Sequence, residues 1–287
     1  MTQPGRGRSR AGDAAAPPNV PGGPMRIARA LSLLGRASRR EAERLVADGR
    51  VAVNGELIHE PATLVDLRRD RIDVDGETIG AAAPRLTYLA MHKPVGVVST
   101  VRDPHAEKTI MDLAPAGTRL YPVGRLDKDS EGLILLTNDG NFANAVTHPR
   151  YETEREYSAL VDFAPHGKTL EQLRRGVVLD GVRTAQARVW IERSDPAGVW
   201  LKLVLHEGRN REVRHMMDAV GHPVRRLIRT RIGPVELGNL KPGTYRALKR
   251  SEVRALIEAA KRAAYQAQRA EAEAAGRAAA GPAQREP

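Results

Sequence analysis

The chain of 287 residues has no cysteine, which excludes disulfides, thiolate nucleophiles and cysteine-ligated zinc. Its eight histidines are scattered, without a close pair at the spacings metal ions usually need, so no metal site is expected. It has no long apolar segment to span a bilayer and no amino-terminal apolar region of signal-peptide type. A cytoplasmic protein that does not engage membranes is therefore expected. Neither a phosphate-binding glycine loop nor a ligand cluster is present, and no internal repeat has a solenoid period. Aromatic residues make up only 3%, so each tyrosine near a proposed site carries weight.

What the chain does have is positive charge. Its formal net charge is +11 and its sequence pI near 10.3, with arginine supplying most of the excess. Such a balance suits an anionic polymer. The length suggests one large or two ordinary domains with room for a sizeable core. Residues 1 to about 24, rich in Gly, Pro, Ala and Arg, read as a disordered basic arm, and residues 263–287 as an Ala/Arg/Glu-rich tail. Ala81-Ala82-Ala83-Pro84 reads as a linker between two folded units, 25–84 and 85–262.

In the first unit Ile27, Leu31 and Leu34 lie at helical spacing, with Gly35 placed to end the helix. Ser38 stands three residues before Glu41, a capping box that opens a second helix through Ala42, Leu45 and Val46 and stops at Gly49. Val51 and Val53 alternate into Asn54-Gly55, a hairpin signal, with Leu57 and Ile58 beyond. Arg36, Arg39, Arg40 and Arg44 crowd the turn and second helix, either as a solvated face or opposite something anionic.

The second unit alternates strand-like and helix-like segments. Leu86 to Met91 reads as a strand broken by His92-Lys93-Pro94. Leu133 to Thr137 reads as a buried strand closed by Asn138-Asp139-Gly140. Glu154 to Phe163 and Val199 to His206 read as two more. Val213, Met216, Met217 and Val220 predict a helix ended by Gly221, its methionines packed in the core. Strands and helices without a strict βαβ rhythm imply a mixed sheet in an α+β fold.

Between these elements the run Tyr121-Pro122-Val123-Gly124-Arg125-Leu126-Asp127-Lys128-Asp129-Ser130-Glu131-Gly132 sets a charged loop directly before an apolar strand. By spacing alone it is better read as a surface turn with solvated charges, since acidic turn residues are common and active sites few. The run resembles the signature loop of the pseudouridine synthases, specifically the RsuA/RluB family that modifies ribosomal RNA, in which the aspartate of Gly-Arg-Leu-Asp is the catalytic carboxylate. That position is Asp127. The segment from Ala37 to Gly55 likewise resembles the small RNA-binding domain of the ribosomal-protein-S-four type, which implies that the basic helix docks on the phosphates of structured RNA. His206-Glu207-Gly208-Arg209-Asn210-Arg211-Glu212-Val213-Arg214 resembles a third family motif.

The resemblance implies an isomerase that breaks the ribose–N1 bond of uridine, turns the base and rejoins it through C5. Nothing is added or lost, so no cofactor and no metal are expected. It makes Asp127 the essential carboxylate, Arg214 its basic partner, and Tyr157 the active-site tyrosine that stacks on the flipped uracil. Arg209 is placed for phosphate contact, and Arg125 for the gap left by the flipped base or a flanking phosphate. Arg225, Arg226, Arg229 and Arg231 are expected to line one face of a strand as an electrostatic floor for RNA. The expected partner is ribosomal RNA or a precursor particle, most closely that of the large subunit, with the protein a monomer. A small-subunit enzyme, a sister enzyme acting on transfer RNA and a noncatalytic assembly factor are the alternatives.

Overall fold

A computed structural model describes residues 23–79 and 85–279. The expected linker and nearly all of the expected basic arm lie outside the described residues, as do the last eight residues of the tail. The chain divides into two compact units, Met1–Arg85 and Leu86–Pro287.

In the first unit the helices Ile27–Leu33 and Arg39–Ala47 bury Ile27, Leu31, Ala42 and Val46 completely. They share this core with Val51 and Ile72 of a four-stranded antiparallel sheet, ordered Glu56–Ile58, Val51–Val53, Ile72–Val74, Glu77–Thr78. The capping box forms as expected: Ser38 Oγ accepts the Glu41 amide at 3.2 Å and Glu41 Oε2 accepts the Ser38 amide at 3.1 Å. Asn54 and Gly55 both take positive φ, 54° and 91°, the left-handed pair that a two-residue hairpin demands. The Asn54 side chain also accepts from the Arg71 amide and donates to Asp70, which ties the turn to the next connection.

The second unit is built on a nine-stranded mixed sheet. Its main path runs Arg188–Asp195, Gly198–Leu205, Arg155–Val161, Arg226–Ile232, Glu131–Thr137, Tyr88–Lys93, Tyr245–Ala247. Neighbours are antiparallel except where Arg226–Ile232 runs parallel to Glu131–Thr137, pairing Arg229 with Gly132. All seven residues of Glu131–Thr137 are buried, which is why this strand reads as an unbroken apolar run rather than an alternating one. The helices Gly167–Arg175 and Glu212–Asp218 close the core around Leu173, Leu201, Leu203 and the fully buried Met216 and Met217. The helices Gly140–Thr147 and Arg250–Ala279 supply Phe142, Val146 and Leu256 to a second cluster with Leu133 and Leu135.

One expectation shifts. The first strand of this unit continues through His92 and Lys93 and stops only at Pro94, with the Lys93 ammonium finding acceptors inside the protein. The described part of the tail prolongs a helix that runs from Arg250 to Ala279.

Candidate active site

The loop Gly124–Ser130 joins the strand Tyr121–Val123 to Glu131–Thr137, and its shape is held through its main chain. Gly124, at φ 77°, begins it. Buried Ser99 grips Leu126 from both sides, donating to its carbonyl at 2.7 Å and accepting its amide at 3.1 Å. The Gly96 amide donates to Lys128 O at 2.7 Å. Arg229 donates to Arg125 O at 3.1 Å and Leu133 O at 2.7 Å, and Arg214 to Asp129 O at 2.9 Å. A loop fixed at so many main-chain atoms can hold one side chain steadily at a cavity.

That side chain is Asp127. It lines a cavity of about 430 Å³ together with Arg125, Tyr157, Arg211, Glu212 and Arg229. Tyr157 enters from Arg155–Val161, where it pairs with Leu203 on one side and Arg229 on the other and packs against two core clusters. Among the described residues, the guanidinium within 4 Å of Asp127 is that of Arg211, whose Nη1 lies 3.8 Å from Oδ2. Arg211 also forks onto Asp129, at 2.9 and 2.8 Å. These hydrogen bonds, with the charge of Arg214 behind them, hold the Asp129 carboxyl below the usual carboxylate range.

The expected pairing of Arg214 with Asp127 is not made. Arg214 is buried, its Nε lies 3.4 Å from Asp129, and its donors go to Asp129 O and, at 2.8 Å, to Val224 O. It secures the loop from beneath, and Arg211, three residues earlier, is the arginine that reaches Asp127.

The arginine floor is also not formed. A register shift between Glu156 and Tyr157 sets Arg229 opposite Tyr157 but Arg231 opposite Glu156, so two arginines at strand spacing turn to different faces. Arg229, only 3% exposed, points inward to the loop rather than to a polymer. Arg231 pairs with Glu154 at 3.1 Å, Arg225 with Asp162 at 2.9 Å, and Arg226 with buried Glu131 at 2.5 Å while also lying over the Trp200 ring. Arg209 is bound by Glu207 at 3.0 Å and by Arg183 O. The guanidinium of Arg125 stays exposed at the cavity. In the first unit Arg36 pairs with Glu77 at 3.1 Å, whereas Arg39, Arg40 and Arg44 are exposed and make no ion pair among the described residues.

Three further residues were missed. Lys93 is wholly buried; burial pushes its ammonium down to about 8, against the opposing charges of Asp127 and Asp129. Glu212 is 5% exposed at the start of its helix. Its spacing of four from Met216 places it on the apolar face, a legible signal of burial. Arg155, largely withdrawn from water at the cavity, donates to Thr153 O and Val146 O. Among the described residues no group of three or more His, Asp or Glu could hold a metal ion.

Comparison with known proteins adds independent findings. Residues 87–219 match the family described as RNA pseudouridylate synthase, and residues 25–72 match the S4 domain. An "Uncharacterized RNA pseudouridine synthase" of Aquifex aeolicus is 39% identical over 80% of this chain and 92% of its own. The "Ribosomal large subunit pseudouridine synthase B" of Bacillus subtilis is 38% identical over 79% of this chain and 93% of its own. A solved structure described as a pseudouridylate synthase covers 81% of this chain and 99% of its own, with 26% identity and a TM-score of 0.57.

Proposed function

Since the chain belongs to the RNA pseudouridine synthase family and is an isomerase that carries an RNA-binding S4 domain, we propose that it converts one defined uridine of large-subunit ribosomal RNA to pseudouridine. The observation that carries this reading is the carboxylate of Asp127, held on a clamped loop at a cavity whose wall includes Tyr157 and whose nearest cation is Arg211. Likeness to the Bacillus subtilis protein named for the large subunit supports the choice of RNA.

The target nucleotide leaves its stack, which costs a few kcal/mol and less in a loop or bulge, and enters the cavity. Asp127 acts on the ribose, either as nucleophile or as base, and both roles require its charged form beside the sugar. Arg211 supplies the positive charge next to it. The Tyr157 ring offers the detached uracil a stacking surface, and its hydroxyl a route for the C5 proton after rejoining. Arg214 and Arg229 act through the loop, keeping the carboxylate in reach. Exposed Arg39, Arg40 and Arg44 engage phosphates, and Arg125 at the cavity engages the strand the nucleotide has left. In this reading it acts as a monomer, working in the cytoplasm where its substrate is made.

Asp127→Asn tests the chemistry: release of C5 tritium from labelled ribosomal RNA should vanish while RNA affinity persists. Release by the variant at the wild-type rate would remove Asp127 from the mechanism. Mapping pseudouridine in ribosomal and transfer RNA of a strain lacking the protein tests the substrate. One uridine of the large subunit should stay unmodified, and a loss confined to small-subunit or transfer RNA would reassign it.

A further inference from the structure

We propose that Glu212 keeps its proton and, through the carboxyl pair it forms with Glu207, holds Arg211 against the Asp127 loop, which makes it a positioning residue for the isomerisation. The role in turnover rests on the reading above; the shared proton does not.

Glu212 and Glu207 lie within hydrogen-bonding reach of each other at the cavity wall. Their donors are unequal. Glu207 Oε1 accepts the Ala185 amide at 2.7 Å and its Oε2 accepts Arg209 Nε at 3.0 Å. Glu212 Oε2 accepts only the Arg209 amide, at 3.1 Å, and its Oε1 is buried without any donor. Glu212 is buried while Glu207 keeps 27% of its side chain in water, and of two facing carboxyls the proton goes to the more buried one with fewer donors. A protonated Glu212 has a hydrogen to give, and the pair closes. Burial first, then the neighbouring Glu207, pushes Glu212 up to about 8. Burial works against the charge on Glu207 too, but hydrogen bonds from Glu212, the Ala185 amide and Arg209 keep its carboxyl below the usual range. The other charges facing Glu212 are Arg209, on its own turn, and Arg155, from the strand across the cavity.

The consequence concerns the residue between them and the loop. Arg211 sits at φ 49°, ψ 29°, a left-handed conformation that residues with a Cβ adopt rarely, and no side chain caps it. What holds the turn is Arg209, clasped by Glu207 through Nε and by Glu212 through its amide. From that turn Arg211 reaches Asp129 and Asp127. Ionising Glu212 puts a second negative charge against Glu207, opens the clasp and frees Arg211 to relax.

The test combines infrared titration with kinetics on the full chain. Wild type minus Glu212→Gln should show one protonated-carboxyl band at neutral pH that disappears with a midpoint near 8. Turnover of wild type on a ribosomal RNA fragment should fall about tenfold one pH unit above that midpoint, the fraction still protonated, with KM held. Glu212→Gln, neutral and of the same shape, should turn over at close to the wild-type rate at pH 7 and keep that rate at pH 9. Glu212→Ala should be slow throughout. Absence of the band from wild type at pH 7 overturns the proposal. So does an undiminished alkaline loss in Glu212→Gln, which would assign it to another group such as Lys93. A wild type inactive on RNA at every pH would sink the functional reading, and the infrared arm would still decide the shared proton.

Discussion

Replacing Arg229 with methionine separates an internal strut from an RNA contact. The side chain is 3% exposed and donates to Leu133 O at 2.7 Å and Arg125 O at 3.1 Å. Methionine matches much of its length but leaves both carbonyls without their charged donor, and hydrogen bonds to charged groups contribute about 1.5–3 kcal/mol each. Against that, the variant no longer buries a guanidinium whose Nη2 has no partner. The net loss should be about 2–4 kcal/mol, which for a unit of this size lowers Tm by roughly 5–12 °C. Arg125 lies two residues before Asp127, so freeing its carbonyl lets the carboxylate wander; a misplacement of about 1 Å costs on the order of 10²-fold in turnover. No phosphate contact disappears, so the slope of RNA affinity against salt should not change. Thermal unfolding, single-turnover kinetics and a salt titration of binding measure the three quantities. An unchanged Tm with a slope reduced by about 0.7–0.9, the signature of one lost phosphate contact, would refute the internal role.

Three other substitutions probe separate links. Changing Arg39, Arg40 and Arg44 together to glutamine should reduce the salt slope of RNA binding by up to about 2.1–2.7, with turnover at saturating RNA retained; an unchanged slope would move the anchor off this helix. Gly132→Ala should destabilise the second unit by about 3 kcal/mol or more, because at φ 110° a Cβ lands 2.6 Å from Arg229 N and closer still to Arg229 O; wild-type stability in a denaturant titration would show that the parallel pairing yields. Ser38→Ala should cost the first unit about 1 kcal/mol by removing one arm of the capping box, and no loss would mean the helix start is held elsewhere.

The parts of the fold legible in the sequence are those whose cause is local. Ser38 and Glu41 make each other's hydrogen bonds three residues apart, and Asn54-Gly55 turns the chain within two residues. Val213, Met216 and Met217 declare a buried face by their spacing alone. The strand Arg188–Asp195 escaped because most of its residues are exposed at the sheet edge, and without a buried face it carries no alternation to read. Asp127 was located only through the resemblance of its loop to a family signature, its spacing alone reading as a surface turn, and the structure places it with Tyr157 at one cavity.

The arginines were the least legible, because what an arginine does is decided by acceptors far along the chain. Arg229 bonds a carbonyl 96 residues away and Arg214 one 85 residues away. From charge alone both count toward a surface for RNA; in the fold both are spent on main-chain oxygens under the loop. A basic composition therefore overstates the electrostatic footprint of the second unit, where Arg209, Arg225, Arg226 and Arg231 also have acidic partners. Of the arginines singled out from the sequence, those that face water without an ion pair among the described residues are Arg125 at the cavity and Arg39, Arg40 and Arg44 on the helix of the first unit. It follows that affinity and turnover belong to different arginines. Substitutions on the helix should move the salt dependence of binding and leave the chemical step, whereas those at Arg211, Arg214 and Arg229 should move the chemical step and leave the salt dependence. A single arginine that moved both equally would contradict this division.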